Sequence, residues 1–214
     1  MIFQDIANGR FYNEDCFNAM KEIPDGVIDM ILCDLPYGTT QNKWDSILPL
    51  DKLWAEYWRV CKDNAAIILT AAQPFSSAVV MSQVDYFKYE WIWDKKSPTG
   101  QLNVKIQPLR QHETILTFYK NQCVYNAIKH ENRLKREFKV KVNPGSDNYG
   151  TQKDYVSEVK NDSLSWPRSI IEQTSVIGNS KEKVKHPTQK PVALFEYLIK
   201  TYTNENEIIL DNTA

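Results

Sequence analysis

The chain has 214 residues, 42% of them hydrophobic and 25% charged, with a formal net charge of −1 at pH 7. Such a chain is long enough for one well-buried globular domain with a small lobe. Near-neutrality excludes a uniformly basic nucleic-acid binder, so any anionic partner must be met by a local patch. The four cysteines, Cys16, Cys33, Cys61 and Cys123, form no C-x-x-C pair and stand at no zinc spacing from a histidine. They read as small buried hydrophobes, with no disulfide framework and no metal site. The N-terminus lacks a signal-peptide pattern, and no apolar run approaches the roughly 18 residues of a membrane span, so the expectation is a reduced, cytoplasmic protein with no membrane partner.

In chain order, RFYNED (10–15) reads as a short strand and CFNAMKEI as a helix with Phe17, Met20 and Ile23 on one side. PDG is a turn. VIDMILC is a short apolar run bounded by turn residues, a buried strand. The polar loop GTTQNKWDS leads to LDKLWAEYWRVC, where Leu53, Trp54, Tyr57, Trp58 and Cys61 fall at helical spacing. KDN ends that helix, AAIILT is the next strand, and PFSSAVVMSQV is a helix with Pro74 near its start. This alternation of strand and helix is the mark of a doubly wound parallel sheet, an α/β fold.

Beyond it, YEWIWDK (89–95) and ETILTFYK (113–120) read as strands separated by a surface loop. Residues 121–165 are polar with weak periodicity and read as an inserted lobe. Within it KHENRLKREFKVK (129–141) carries six Lys/Arg against two Glu. WPRSII returns to the core, HPTQKP precedes the helix VALFEYLIKTYT, and NENEIILDNTA is a turn and a strand. The core is thus residues 1–120 and 166–214. There is no internal repeat.

The stretch DMILCDLPYG concentrates chemistry at one strand end. In an open parallel sheet, ligands bind outside the carboxyl ends of the strands, and Asp34 sits at such an end. Pro36 restricts Leu35 to extended conformations, fixing the direction of the Leu35 carbonyl. Tyr37 adds a flat face. Two acceptors and a ring suit a planar group bearing an amine, such as a nucleobase.

These residues resemble the Asp-Pro-Pro-Tyr motif of DNA amino-methyltransferases, with Leu35 in place of the first proline. The blocks NEDCFNAMKEIPDGVIDMILCDLPYG, AAIILTAAQPFSS, YEWIWDK, PLRQHETILTFYK and HPTQKPVALFEYLIK also resemble the permuted (beta) class of that family, in the same order. The resemblance implies a Rossmann-like methyltransferase sheet in permuted order, with a target-recognition lobe at 121–165. It implies methylation of an exocyclic amine in double-stranded DNA after base flipping, with S-adenosylmethionine as cofactor. Asp34 as the first motif residue points to adenine N6, with cytosine N4 as the alternative.

The residue roles follow from the same resemblance. Asp34, Leu35, Pro36 and Tyr37 form the catalytic motif, with Tyr37 stacking on the flipped base. Asp15, Asp34, Thr188, Gln189, Lys190 and Asp211 form the cofactor set, although Asp15 equally suits the cap of the helix starting near Cys16. Arg133, Lys135, Arg136, Lys139 and Lys141 are the expected DNA contacts, which makes binding salt-dependent. A homodimer and a cognate restriction enzyme are compatible with the family. The family's Gly-rich cofactor turn does not follow ILDNTA in this sequence. The strand after that turn would stand between the one ending at Asp211 and RFYNED. A chain ending at Ala214 is therefore expected to bind cofactor weakly, and a catalytically silent DNA-binding fragment is the rival from another functional class.

Overall fold

Among the residues described, the apolar runs and amphipathic stretches become ten strands and four helices. The computed structural model describes residues 3–6, 9–40, 42, 45–131, 164–176, 178, 180–184 and 188–213. In chain order these are β1 (Phe3–Ile6), β2 (Gly9–Tyr12), α1 (Cys16–Lys21), β3 (Ile28–Cys33), α2 (Leu50–Val60), β4 (Cys61–Ala71), α3 (Phe75–Ser82) and β5 (Phe87–Thr99). Then come β6 (Arg110–Phe118), β7 (His130–Glu131), β8 (Leu164–Ser165), β9 (Ile170–Glu172), α4 (Val192–Tyr202) and β10 (Ile209–Leu210). By contacts the chain divides into two compact units, Met1–Asn126 with Arg168–Ala214, and Ala127–Pro167.

The first unit is built on a six-stranded sheet in the order β10-β3-β4-β6-β5-β9. β10, β3 and β4 are parallel. β6 runs antiparallel to both of its neighbours, and β9 is parallel to β5. The sheet is therefore α/β and Rossmann-like but mixed, where helix–strand alternation predicts an all-parallel one. The reason lies in the connection: only residues 100–109 link β5 to β6, too few for the helical crossover that a parallel neighbour needs.

Two further expectations are corrected. RFYNED is a strand only through Tyr12, and it pairs antiparallel with β1 in a separate two-stranded ribbon, Gln4 opposite Phe11. It is not part of the six-stranded sheet. KDN does not end α2: the helix stops at Val60, and Lys62, Asp63 and Asn64 already belong to β4 as its exposed leading residues.

Both faces of the sheet are covered, which explains why β3 reads as a continuous apolar run. Its side chains alternate. Ile31 and Cys33 face a cluster with Leu53, Trp54 and Tyr57 of α2 and Val79 of α3. Met30 and Leu32 face a second cluster with Leu194, Leu198 and Tyr202 of α4. Cys33, Cys61 and Cys123 are buried free thiols, and burial pushes the Cys61 and Cys123 thiols up to about 12 and about 11. In the second unit β7 pairs antiparallel with β8, and Lys129 Nζ lies 4.6 Å from the Trp166 ring centre. No described helix is long and apolar enough to cross a membrane.

α4 is tied to the sheet by one buried hydroxyl. Tyr202 Oη accepts from Trp91 Nε1 at 2.7 Å and lies 3.1 Å from Tyr89 Oη. Tyr202→Phe strands the indole N–H of a residue only 4% exposed. The expected loss is about 1–3 kcal/mol, read as a lower urea midpoint at unchanged slope. An unchanged midpoint would mean that the hydroxyl does not hold α4 to the sheet.

Candidate active site

The carboxyl ends of β3, β4 and β10 lie on one side of the sheet, and the chain segments leaving them open a cleft of about 1110 Å³. Its wall includes every residue assigned above to catalysis or cofactor: Asp15, Asp34, Leu35, Pro36, Tyr37, Thr188, Gln189, Lys190 and Asp211. Those residues come from four separate stretches of sequence. The antiparallel β5–β6 pair adds Trp93, Lys95 and Glu113, with Trp93 directly opposite Glu113.

Asp34 is held by three partners in the cleft. Tyr37 Oη donates to its Oδ1 at 2.9 Å, and the Thr70 hydroxyl donates to the same oxygen. Lys190 Nζ lies 2.7 Å from Oδ2. A carboxylate offers about four lone-pair sites. Three are taken, and the remaining one is on Oδ2. Nothing among the described residues donates to the Leu35 carbonyl. The Leu35 side chain, 3% exposed, packs into the core cluster that includes Phe75, which accounts for an apolar residue at this position.

Tyr37 is braced as well as exposed to the cleft. Its ring stacks on Phe75, centroids 5.4 Å apart at 23°, and Lys190 Nζ stands 5.5 Å from its centre. Burial, followed by the negative charges of Asp34 and Glu113, pushes the phenol well above its ordinary value. It therefore remains a neutral hydrogen-bond donor at physiological pH.

Lys190 serves two carboxylates. It also lies 3.4 Å from Glu113 Oε2, and Lys95 Nζ lies 3.1 Å from Glu113 Oε1. The side chains of Asp34, Lys190, Glu113 and Lys95 are 26%, 10%, 14% and 9% exposed. Two carboxylates and two ammoniums alternate in a row that is formally neutral. This neutrality is what makes their withdrawal from water tolerable.

The other predicted residues take definite positions. Asp15 caps α1, its Oδ1 accepting from Phe17 N at 3.0 Å and Asn18 N at 3.4 Å. Gln189 turns its amide toward its own loop: Oε1 accepts from Val184 N at 2.9 Å and Nε2 donates to Glu182 O at 2.8 Å. Asp211 accepts from Thr213 N and Oγ1 at 2.9 and 3.0 Å. Solvent reaches Asp211, yet crowding by protein, helped by the charge of Asp34, raises its carboxyl above the ordinary value. Beside it, Asn212 Oδ1 accepts from Tyr57 Oη at 2.5 Å and Cys33 Sγ at 2.8 Å. Asn212 Nδ2 is buried with no hydrogen-bond partner among the described residues. Arg133, Lys135, Arg136, Lys139 and Lys141 lie outside the described residues. No described group of three His, Cys, Asp or Glu residues could hold a metal ion.

Three residues that the sequence did not single out shape the site, Thr70, Lys95 and Asp45, together with Glu113, which the sequence places in a block resembling one near the family's target-base pocket. Asp45 fixes the loop that follows Tyr37. Its carboxylate accepts from the backbone N–H groups of Gly38 at 2.8 Å, Thr39 at 3.0 Å and Thr40 at 2.7 Å. Gly38 has φ +67°, and a Cβ there would lie 2.9 Å from Ile47 Cγ1. Both conformation and space thus require glycine.

A family model described as DNA methylase, of the N6/N4 methyltransferases, matches residues 28–212. The Type II methyltransferase M.HpaI of Haemophilus parainfluenzae is 25% identical over 215 residues, covering 94% of this chain and 62% of M.HpaI. Type II methyltransferase M.HinfI of Haemophilus influenzae is 24% identical over 223 residues, covering 92% of this chain and 56% of M.HinfI. The chain thus spans only about three fifths of these relatives' length. The crystal structure of an M1.HpyAVI–SAM complex superposes with a TM-score of 0.57 at 23% identity, covering 94% of this chain and 80% of the other. At that identity the likeness is one of fold.

Asp45 generates a pH prediction. Burial raises its carboxyl, but hydrogen bonds from Thr40 and from the three backbone N–H groups outweigh this and hold its pKa below the ordinary value. A carboxyl depressed in the folded state contributes stability above its unfolded pKa of about 3.9. That contribution is lost as pH falls through the lower folded value. Asp45→Asn is expected to be less stable than wild type at pH 7, with the difference shrinking in acid below about pH 4. Thermal melts across pH 2.5–7 check this; a gap that does not narrow in acid contradicts it.

Proposed function

The chain belongs to the N6/N4 DNA methylase family, and on that footing we propose that it transfers a methyl group from S-adenosylmethionine to the exocyclic amine of a base in duplex DNA. The observation that carries this reading is two open acceptors on adjacent residues of the cleft wall: the last lone-pair site on Asp34 Oδ2 and the uncommitted Leu35 carbonyl. A base amine has two protons and a lone pair delocalised into its ring. Accepting both protons turns that lone pair away from the ring and toward an electrophile. Asp34 and Leu35 would do this with little reorganisation, because Tyr37, Thr70 and Lys190 already hold the carboxylate. Tyr37, backed by Phe75, offers its ring to the flipped base.

The cleft also suits the cofactor. Its volume of about 1110 Å³ exceeds the roughly 300–1,000 Å³ of a single-ligand site, leaving room for a cofactor and a base together. Asp15 and Asp211 present carboxylates for hydroxyl or amine groups, and the orphaned Asn212 Nδ2 is a donor in want of an acceptor. S-adenosylmethionine, when bound, supplies a methyl group on a positively charged sulfur. In-line positioning of the amine by Asp34 and Leu35 would provide most of the acceleration.

Adenine N6 is the preferred target on the identity of Asp34, and cytosine N4 is the second reading, since the family includes both. Lys and Arg at 133, 135, 136, 139 and 141 are proposed to meet DNA phosphates, with residues 121–165 as the recognition lobe.

The test is methyl transfer from labelled S-adenosylmethionine to unmethylated plasmid DNA, followed by digestion to nucleosides. The expected product is N6-methyladenine, with the rate in Asp34→Asn lower by at least about a hundredfold. Label in N4-methylcytosine overturns the adenine reading. Label in no base overturns the enzymatic one.

A further inference from the structure

The connection between β5 and β6 carries a surface that the chemistry of the cleft leaves unused. Residues 101–108 are all exposed. Gly100, at φ +95°, precedes a single 3-10 turn at Gln101–Asn103, and Ile106 N and Gln107 N donate back to Asn103 O at 2.9 and 3.0 Å. Leu102 lies in this turn and Ile106 just beyond it, four residues apart in the wound segment. Leu102 is 101% exposed, Ile106 82% and Val104 55%. Three bare aliphatic side chains within five residues of one hydrogen-bonded knob are a surface for a partner to cover.

Position and charge identify the partner. The hollow under the knob is lined by Thr99, Gly100, Asn103, Arg110 and His112 among others, and Thr99 and Arg110 also line the cleft that holds Asp34. The knob therefore stands at the rim of the cleft. From Lys95 to His112 the sequence carries three lysines and one arginine and no acidic residue. Lys105 and Arg110 form no ion pair among the described residues. Two copies meeting through this knob in a twofold contact would oppose the same cations to themselves. A polyanion with an apolar interior faces no such penalty, and stacked DNA is one.

We propose that Leu102 and Ile106 form an apolar wedge that enters the base stack of duplex DNA at the position vacated by the base drawn into the cleft, with Lys105 and Arg110 on the flanking phosphates. The proposal rests on the methyl-transfer reading above. A base amine cannot reach Asp34 from inside a duplex, so the base must leave the stack, and the gap left behind is unfavourable. Leucine and isoleucine are among the side chains that fill such gaps.

The test uses the 214-residue chain and two fluorescent duplexes of one sequence, intact or with a single tetrahydrofuran abasic residue. Fluorescence anisotropy reads their affinities. Wild type is expected to prefer the abasic duplex by about tenfold, the scale of burying one aliphatic side chain. Leu102→Ser/Ile106→Ser is expected to bind both duplexes alike, with circular dichroism and melting temperature showing it folded. Discrimination retained by the double variant, or absent from wild type, overturns the wedge. So does a sedimentation coefficient that falls in the double variant, which would mark the knob as a contact between copies. Wild-type discrimination lost in the variant, without methyl transfer to any base, supports the wedge while removing the methyl-transfer reading.

Discussion

The site is organised by the ion pair between Lys190 and Asp34, 2.7 Å apart in space and 156 residues apart in the chain. It joins the end of β3 to the segment that enters α4, two parts of the sequence with no local reason to meet. Lys190 is 10% exposed and Glu113, its second partner, 14%. At such burial a charge is tolerated only when paired, and removing one member of a pair typically costs about 3–5 kcal/mol. Without Lys190, Asp34 and Glu113 would face one another as like charges. Lys95 completes the row by neutralising the far oxygen of Glu113. The arrangement is thus a structural requirement of the cleft as well as a chemical resource.

That row determines what Asp34 has left to offer. Tyr37 and Thr70 use one oxygen and Lys190 uses half of the other. A single acceptor site remains, beside a backbone carbonyl whose direction is limited by Pro36. The loop beyond Tyr37 is held by three N–H donors on Asp45, and the ring of Tyr37 rests on Phe75. For the proposed chemistry this means that the acceptors are in place before a base arrives, where they are worth most.

What was legible in the sequence was whatever depends on neighbours along the chain. Asp34 could be placed at a strand end because an apolar run stops there and turn residues follow. Asp15 could be read as a helix cap from its position ahead of CFNAM, and it caps α1. Lys95 and Glu113 were not legible as a pair, because only the antiparallel register of β5 and β6 brings their strand ends together, through a ten-residue connection with no helix. Asp45 looks like any loop acid until the backbone folds around it. The reversal of β6 escaped because alternation of helix and strand predicts parallel strands only where helices intervene. RFYNED escaped because its leading residues find a closer partner in β1, in a local ribbon that needs no long-range pairing.

The central claim is that Lys190 is the shared counter-ion of Asp34 and Glu113, and a double-mutant cycle in urea unfolding at pH 7 tests it most directly. The variants are Lys190→Met, Glu113→Gln and the two combined. Lys190→Met is expected to be the costliest single change, and adding Glu113→Gln to recover part of the loss. The coupling should be at least about 1 kcal/mol, as expected for charges in direct contact. Effects that add to within about 0.5 kcal/mol would contradict the claim and leave the Asp34 carboxylate without the support on which the proposed chemistry depends.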